Sequence, residues 1–234
     1  MPADGGKRSI RDYLGEIVYG ANDGIVTTFA IVSGFAGAGA ESTAEIGALA
    51  VLLFGLANLF ADASAMGMGA YLASRAEHEL YRRRHRETEE EVRTHPGTAR
   101  ARLTEAFEER GLSTMDARQI ADQLSRHPAL MAEISLAQEE SLTDPRHEHP
   151  RIKGTVTFLS FLSFGVIPLI PYFLSEPTQE TFIASATATV SALILLGLLR
   201  WLVTGENLLK CIGETVLVGG ISAIIAFGVG LMFR

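Results

Sequence analysis

The sequence has a single cysteine, Cys211, which excludes an intrachain disulfide bond and a cysteine-based zinc cluster. Near its start it lacks the short apolar segment and small-residue cleavage site of a removable signal peptide, so we expect none. The net charge of −7 at pH 7 does not indicate nucleic-acid binding. The most informative absence is local, because five long stretches of the chain contain very few charged residues.

These five apolar stretches are long enough to cross a membrane. A helix needs ~20 predominantly apolar residues to span the bilayer core. The stretches cover residues 17–40, 46–74, 154–175, 181–203 and 208–233. The sequence therefore predicts an all-α integral membrane protein with five transmembrane helices in contact with the lipid bilayer.

Most of the charged residues lie between the second and third apolar stretches. We divide the chain into an N-terminal segment with transmembrane helices one and two (1–74), an insert (75–152) and transmembrane helices three to five (153–234). The polar continuation of helix two has no helix breaker before Pro96-Gly97, so a long helix should lead into a small helical insert.

The basic residues lie on one side of the predicted membrane. Of the 20 Lys and Arg residues, all except Arg234 fall on the side of the N-terminus and the insert. The opposite loops carry Glu41, Glu45, Glu176 and Glu180 and no basic residue. By the positive-inside rule, the N-terminus and the insert are predicted to be cytosolic and the C-terminus to lie on the opposite side.

Polar side chains occur at helical spacing inside the second apolar stretch. Asn58, Asp62 and Met66 stand at i, i+4 and i+8, which places them on one face of a helix. A carboxylate facing lipid costs on the order of 2.5–3.5 kcal/mol, so this face should line protein or water. A carboxylate beside a thioether, which favours transition metals over Mg²⁺ or Ca²⁺, indicates a path for a metal ion.

The first apolar stretch contains a second acid, Asp23. Gly20 and Gly24 flank it by one turn or less and would let another backbone or a hydrated ion approach. An ionisable residue inside a membrane segment is by default a functional candidate. The alternatives are a packing or capping role near the cytosolic interface for Asp23, and a structural hydrogen bond to a neighbouring helix for Asp62.

The predicted insert carries acids that could bind a divalent cation. Glu87, Glu90 and Glu91 lie on the continuation of helix two, and Glu139 and Glu140 lie near the end of the last insert helix. Carboxylates from different helices can converge on a metal ion in a helical bundle. The alternative is that these glutamates form a solvated helix face.

The chain resembles the vacuolar iron transporter family over nearly its whole length. The order of two helices, an insert and three helices matches, as do four motifs: Gly15-Glu16-Ile17-Val18-Tyr19-Gly20, Asp23-Gly24, Ser64-Ala65-Met66-Gly67-Met68-Gly69-Ala70-Tyr71-Leu72-Ala73 and Ile167-Pro168-Leu169-Ile170-Pro171-Tyr172. The resemblance implies a homodimer with an ion path near the dimer interface. It also implies exchange of cytosolic Fe²⁺, often also Mn²⁺, for protons, with no permanently bound cofactor.

The resemblance assigns roles in the membrane by position. Asp23 matches the family's transport acid of helix one, and Met66 matches its methionine of helix two. The family's acid of helix two falls on Asn58 here, and Asp62, one turn closer to Met66, is the candidate to replace it. An amide does not release a proton at physiological pH, so this departure affects proton coupling.

The resemblance also covers the insert, which in this family binds metal. Glu91 and Glu139 match its acids, with Glu87 or Glu90 nearby. Ala99 and Arg102 stand at or near positions where acids are expected. The resemblance therefore implies a weakened or altered cytosolic metal site.

The sequence favours a cation/proton antiporter that works by alternating access, and not an enzyme. A membrane-anchored metal sensor or store, in which the insert binds the cation, is the alternative. An intramembrane protease with Asp23 and Asp62 as its acid pair is a third class. The absence of a Gly-x-Gly-Asp motif and the family resemblance argue against it.

Overall fold

The computed structural model of the chain describes residues 13–39, 44–176 and 178–233. Within these ranges every regular element is an α-helix or a short 3₁₀ turn, and no strand occurs. The all-α prediction is therefore confirmed. Glu41, Arg234 and the basic residues before Tyr13, which contributed to the predicted orientation, lie outside the described ranges.

The helices follow the predicted pattern of apolar stretches and breaks. In chain order they are α1 (Leu14–Gly37), α2 (Ala44–Thr94), α3 (Pro96–Glu109), α4 (Thr114–Leu124), α5 (Pro128–Glu139), α6 (Pro150–Gly165), α7 (Ile170–Leu174), α8 (Gln179–Thr204) and α9 (Leu208–Leu231). Short 3₁₀ turns cover Pro145–His147 and Ile167–Leu169.

The chain divides into two compact units. The first, called the apolar unit below, comprises Met1–Tyr71 and Arg151–Arg234, and the second, called the insert unit, comprises Leu72–Pro150. The single helix α2 contributes to both units, because no proline interrupts it before Pro96.

Four helical segments of the described chain are long and apolar enough to cross a membrane. They are Leu49–Thr94, Pro150–Leu174, Gln179–Thr204 and Leu208–Leu231. Helix α1 is 24 residues long and contains the polar residues Asn22 and Asp23, and it is not among these four segments. The chain is thus a multi-pass membrane protein, and a fifth span through α1 stays a prediction.

Large apolar side chains remain exposed on the outside of the apolar unit. They include Leu53 at 60%, Leu195 at 59% and Ile224 at 73% exposure. A surface this rich in exposed apolar side chains is unusual for a soluble protein and is typical of contact with lipid or another chain.

Two prolines interrupt the helix after α6, and a serine hydroxyl hydrogen-bonds to a backbone carbonyl group that the interruption leaves without a helical partner. Helix α6 ends at Gly165, and Pro168 and Pro171 lie in the short elements that follow it. The buried Ser185 hydroxyl of α8 donates a hydrogen bond to the Pro168 carbonyl oxygen at 2.6 Å. Irregular backbone inside an apolar unit requires such a partner, because no water replaces the lost helical bond.

Helix α6 packs against both α1 and α2 through glycines. Gly24 of α1 lies against the backbone of Phe161, and a methyl group added at Gly165 would lie 2.9 Å from the Gly24 carbonyl oxygen. On the other side, a methyl group added at Gly154 would lie 2.6 Å from the carbonyl oxygen of Gly67 in α2. Helix α6 therefore positions the two helices that carry Asp23 and Asp62.

The core of the apolar unit forms around the same crossing. Phe161 is fully buried and clusters with apolar residues of α1 and α2, among them Phe29, Leu59 and Ala63. Helices α8 and α9 pack against the opposite part of α1, where Leu193 and Leu196 bury Ala21 and Ile25.

The insert unit has a small core. Helices α3, α4 and α5 pack on one another, and Val92 from the polar part of α2 joins them. The buried side chains include Leu103 of α3, Ala121 of α4 and Met131 of α5. A core of this size gives limited stability, so polar contacts between the helices matter to this unit.

We expect Gly67→Ala to destabilise the apolar unit, whereas Gly69→Ala should not. The added methyl group at Gly67 would lie 2.8 Å from the Phe158 Cβ and 2.9 Å from the Gly154 carbonyl oxygen. Overpacking of this kind costs about 1–3 kcal/mol. At Gly69, two residues further along the same helix, the methyl group meets nothing within 4 Å.

Thermal unfolding of the two variants in detergent tests this packing. Gly67→Ala should lower the unfolding temperature by several degrees, and Gly69→Ala should leave it unchanged or raise it slightly through better helix propensity. Equal unfolding temperatures for both variants would contradict the close crossing of α2 and α6.

Candidate metal-ion site

The predicted polar face of helix two forms a hydrogen-bonded pair in the structure. The Asn58 side-chain amide of α2 donates to Asp62 Oδ2 at 2.7 Å. Both side chains are half-buried in the apolar unit. Because the amide nitrogen is engaged, the side-chain carbonyl oxygen of Asn58 is the atom that remains for a cation.

Asp23 of α1 lies close to this pair. The carboxylates of Asp23 and Asp62 are near enough to interact electrostatically, and Asp23 is also half-buried. Two like charges repel each other, and a cation bound between them would offset that repulsion. The two helices thus bring together two acids that are 39 positions apart in the sequence.

The two methionines after Asp62 differ in their surroundings. Met66 is half-buried and packs against the core cluster around Phe161. Met68 is 63% exposed. Of the two, Met66 is therefore the methionine whose sulfur lies on the inner side of α2. The helical spacing of Asn58, Asp62 and Met66 places all three on one face.

Asp23 and Asp62 are not part of a larger group of acids in the described residues. Within the part of the chain that the structure describes, no group of three or more His, Cys, Asp or Glu side chains is arranged to hold a metal ion. A cation between Asp23 and Asp62 would complete its coordination with neutral donors. The Asn58 carbonyl oxygen and the Met66 sulfur are the candidates on α2.

Four of the five acids proposed for the insert do converge. Glu87, Glu91, Glu139 and Glu140 line a small cavity of about 80 Å³ between α2, α3 and the end of α5. Glu90 is exposed and lies outside this cavity.

Arginines occupy the space between these acids. Arg84 binds Glu87 at 2.8 Å and also binds Glu140. Arg102 of α3 binds Glu91 of α2 at 2.9 Å and lies 3.6 Å from Glu139 of α5. Each guanidinium therefore bridges two carboxylates and supplies the positive charge that a metal ion would otherwise bring.

The protonation of the insert acids follows from these contacts. Hydrogen bonds from Arg83 and Arg84 lower the pKa of Glu87. Burial raises the pKa of Glu139, and the opposing effects of Arg102 and a Ser135 hydrogen bond do not cancel it. Glu139 therefore ionises less readily than Glu87. Since only the ionised carboxylate binds a metal ion, this further weakens Glu139 as a cation ligand.

Analysis of the sequence alone missed the role of Arg84. Its pairing with Glu87, three positions later on the same helix, follows from helical spacing. Its pairing with Glu140 joins residues 56 positions apart and depends on how α5 packs against α2. A second missed contact is the ion pair of Lys153 with Glu16 at 3.7 Å, which links α6 to α1 inside the apolar unit.

Replacement of Arg102 by an acid should create a metal site in the insert. Arg102→Glu removes a cation and adds a carboxylate beside Glu91 and Glu139, so Mn²⁺ affinity should rise roughly tenfold or more. Arg110→Glu, an exposed position just after α3, makes the same charge change away from the cluster and is the matched control.

Electron paramagnetic resonance of Mn²⁺ titrated into the full chain measures this gain in Mn²⁺ affinity. The gain should disappear when Glu91→Gln is added to Arg102→Glu. If the Arg102 and Arg110 variants bind Mn²⁺ equally, the bridging arginine does not control the site.

The sequence is similar to known proteins over most of its length. A profile of the VIT family matches residues 14–231, a range that contains Asp23, Asn58, Asp62 and Met66. A vacuolar iron transporter of Centaurea cyanus is 29% identical over 213 residues, which cover 91% of this chain and 84% of that protein. A vacuolar iron transporter of Toxoplasma gondii is 30% identical over 232 residues, 95% of this chain and 75% of that protein. Vacuolar iron transporter 1 of Arabidopsis thaliana is 28% identical over 212 residues, 91% of this chain and 82% of that protein.

Proposed function

Because the chain belongs to the VIT family, whose relatives include vacuolar iron transporters, we propose that it carries Fe²⁺, and also Mn²⁺, out of the cytosol. It is a membrane transporter and not an enzyme. The observation that carries the proposal is the approach of Asp23 on α1 to Asp62 on α2.

The donor set suits a divalent transition metal. Two carboxylates supply hard oxygen ligands and balance the charge of the ion. The Met66 sulfur adds a soft donor, which favours Fe²⁺ or Mn²⁺ over Mg²⁺ and Ca²⁺. The Asn58 amide holds the Asp62 carboxylate in place, as a supporting residue commonly does for a metal ligand.

Protons supply the driving force in this proposal. Carboxylates must be ionised to bind the metal, and protonation from the opposite side releases it. Asn58 does not titrate, so Asp23 and Asp62 together carry the coupled protons.

We propose that α1 is the fifth transmembrane span. Its 24 residues extend about 36 Å at ~1.5 Å per residue, enough for a bilayer core of ~30 Å. It packs against α8 and α9, two helices long and apolar enough to span. The N-terminus and the insert would then be cytosolic and the C-terminus would lie on the opposite side.

We further propose a homodimer with the ion path near its interface. The family resemblance is the main support for this arrangement. The exposed Tyr19 and Met68, at 67% and 63% exposure, lie on the two helices that carry the acids and suit an apolar contact with a second copy.

A membrane-anchored metal sensor is the second candidate function. The convergence of four insert acids around one cavity favours it. The bridging arginines argue against it, because a cation entering that cavity must displace Arg84 or Arg102 from a carboxylate.

Neutralising either membrane acid should abolish transport. In proteoliposomes, Asp23→Asn and Asp62→Asn should each lower Mn²⁺ or Fe²⁺ flux by roughly tenfold or more through loss of a charged ligand. Glu206→Gln, which neutralises an exposed acid of the same unit, is the control and should retain flux. Wild-type flux in both aspartate variants would refute the assignment.

A pH gradient should drive the metal toward the acidic side. Protonation releases the ion there, so uphill Mn²⁺ movement should reverse when the gradient is reversed and stop with a protonophore. The insert variant Glu91→Gln with Glu139→Gln should keep most of this flux. If that variant loses all transport while Asp23→Asn retains it, the sensor function is favoured instead.

A further inference from the structure

A second and larger cavity lies in the insert unit, away from the acid cluster. Its volume is about 640 Å³, within the range of small-molecule sites. One wall is the face of α2 that carries His78, Tyr81, Arg82, His85 and Arg86, and the segment around Arg146 forms another. The transport path described above does not use any of these side chains.

The cavity has positive charge that is not compensated. Arg82 and Arg86 are exposed one helical turn apart, and among the described residues no ion pair or hydrogen bond reaches either guanidinium. The acids nearby already have partners. Glu79 binds Arg75 at 2.9 Å, and both Asp144 and Glu133 bind Arg146.

Two buried groups at the cavity have unmet hydrogen-bonding capacity. Tyr81 is 7% exposed, and within the described part of the chain its hydroxyl proton has no acceptor and the buried Nε2 of His78 has no partner. Arg146 lies beside the Tyr81 hydroxyl, but a guanidinium only donates, so the hydroxyl proton has no acceptor. Burial, followed by the charges of Asp144 and Glu133, raises the pKa of Tyr81 and keeps this donor protonated.

Three residues on one face of α2 line the cavity and carry hydrogen-bond donors, namely Tyr81, Arg82 and Arg86. An acceptor with negative charge would satisfy the two guanidinium groups and could also accept from the tyrosine hydroxyl. A phosphoryl group offers several acceptor oxygens in a tetrahedral arrangement, and arginine is well suited to bind it. The cavity is larger than a single phosphate, which leaves room for the rest of a phosphate ester.

We propose that this cavity binds the phosphoryl group of a phosphate ester through Arg82, Arg86 and the Tyr81 hydroxyl. Two sources supply this chemistry, a lipid headgroup or a soluble phosphate. His78 lies four residues after the second apolar stretch of the sequence (46–74), about 6 Å further along the axis of α2. Basic clusters that follow a membrane helix this closely commonly bind anionic lipid headgroups.

Binding to the full chain in a neutral detergent tests the proposal with two probes. Native mass spectrometry counts retained phosphatidic acid against phosphatidylcholine, and ³¹P NMR follows exchange broadening of inorganic phosphate. The wild-type chain should retain phosphatidic acid, bind inorganic phosphate, or both. Phosphatidic acid alone identifies the lipid headgroup as the source, and inorganic phosphate binding identifies a soluble one.

Variants separate the proposed site from general electrostatic attraction. Arg82→Gln with Arg86→Gln should lower binding about tenfold or more, because two charge-assisted hydrogen bonds are lost. Arg110→Gln with Arg118→Gln makes the same charge change at exposed positions elsewhere in the insert unit and should leave binding unchanged. Tyr81→Phe keeps the ring and removes only the hydroxyl, so it should weaken binding several-fold without unfolding the unit.

Three outcomes would overturn the proposal. These are no binding of either probe by the wild-type chain, equal losses in the two double-arginine variants, and full binding by both the Arg82/Arg86 and Tyr81 variants. Metal flux by the aspartate variants is measured separately, so failure here leaves the transport proposal standing.

Discussion

The electrostatic interaction between Asp23 and Asp62 is the constraint on which the proposed transport depends. Two half-buried carboxylates on different helices must be held close to each other against this force. The close backbone contacts of α6 with α1 at Gly24 and with α2 at Gly67 provide that restraint. The hydrogen bond from Asn58 further fixes Asp62. A divalent cation, or protons, would relieve the repulsion that packing alone resists, and this links the fold directly to the proposed transport.

The insert unit meets a similar concentration of acids in a different way. Its four converging glutamates have permanent positive partners in Arg84 and Arg102, which bridge α2 to α3 and to the end of α5. Since the core of this unit is small, these ion pairs help to define how its helices pack. By contrast, no basic side chain of the described residues pairs with Asp23 or Asp62 in the apolar unit. This difference is why we propose the ion site at Asp23 and Asp62 and not in the insert.

Sequence patterns predicted those features that depend on local spacing. The long helix up to Pro96, the apolar stretches and the shared face of Asn58 and Asp62 all follow from helical geometry. The approach of Asp23 to Asp62 and the bridge from Arg102 to Glu139 depend on tertiary packing, which no local pattern encodes. The count of spans stayed open because the same polar side chains that make α1 a functional candidate also reduce its apolarity.

The position of a bound ion tests the account most directly. Crystals of the full chain soaked with Mn²⁺ should show an anomalous peak between Asp23 and Asp62, about 2–2.5 Å from a carboxylate oxygen of each. The peak should vanish in Asp62→Asn and persist in Glu139→Gln. A peak among Glu87, Glu91 and Glu139 with none at Asp23 and Asp62 would contradict the central claim.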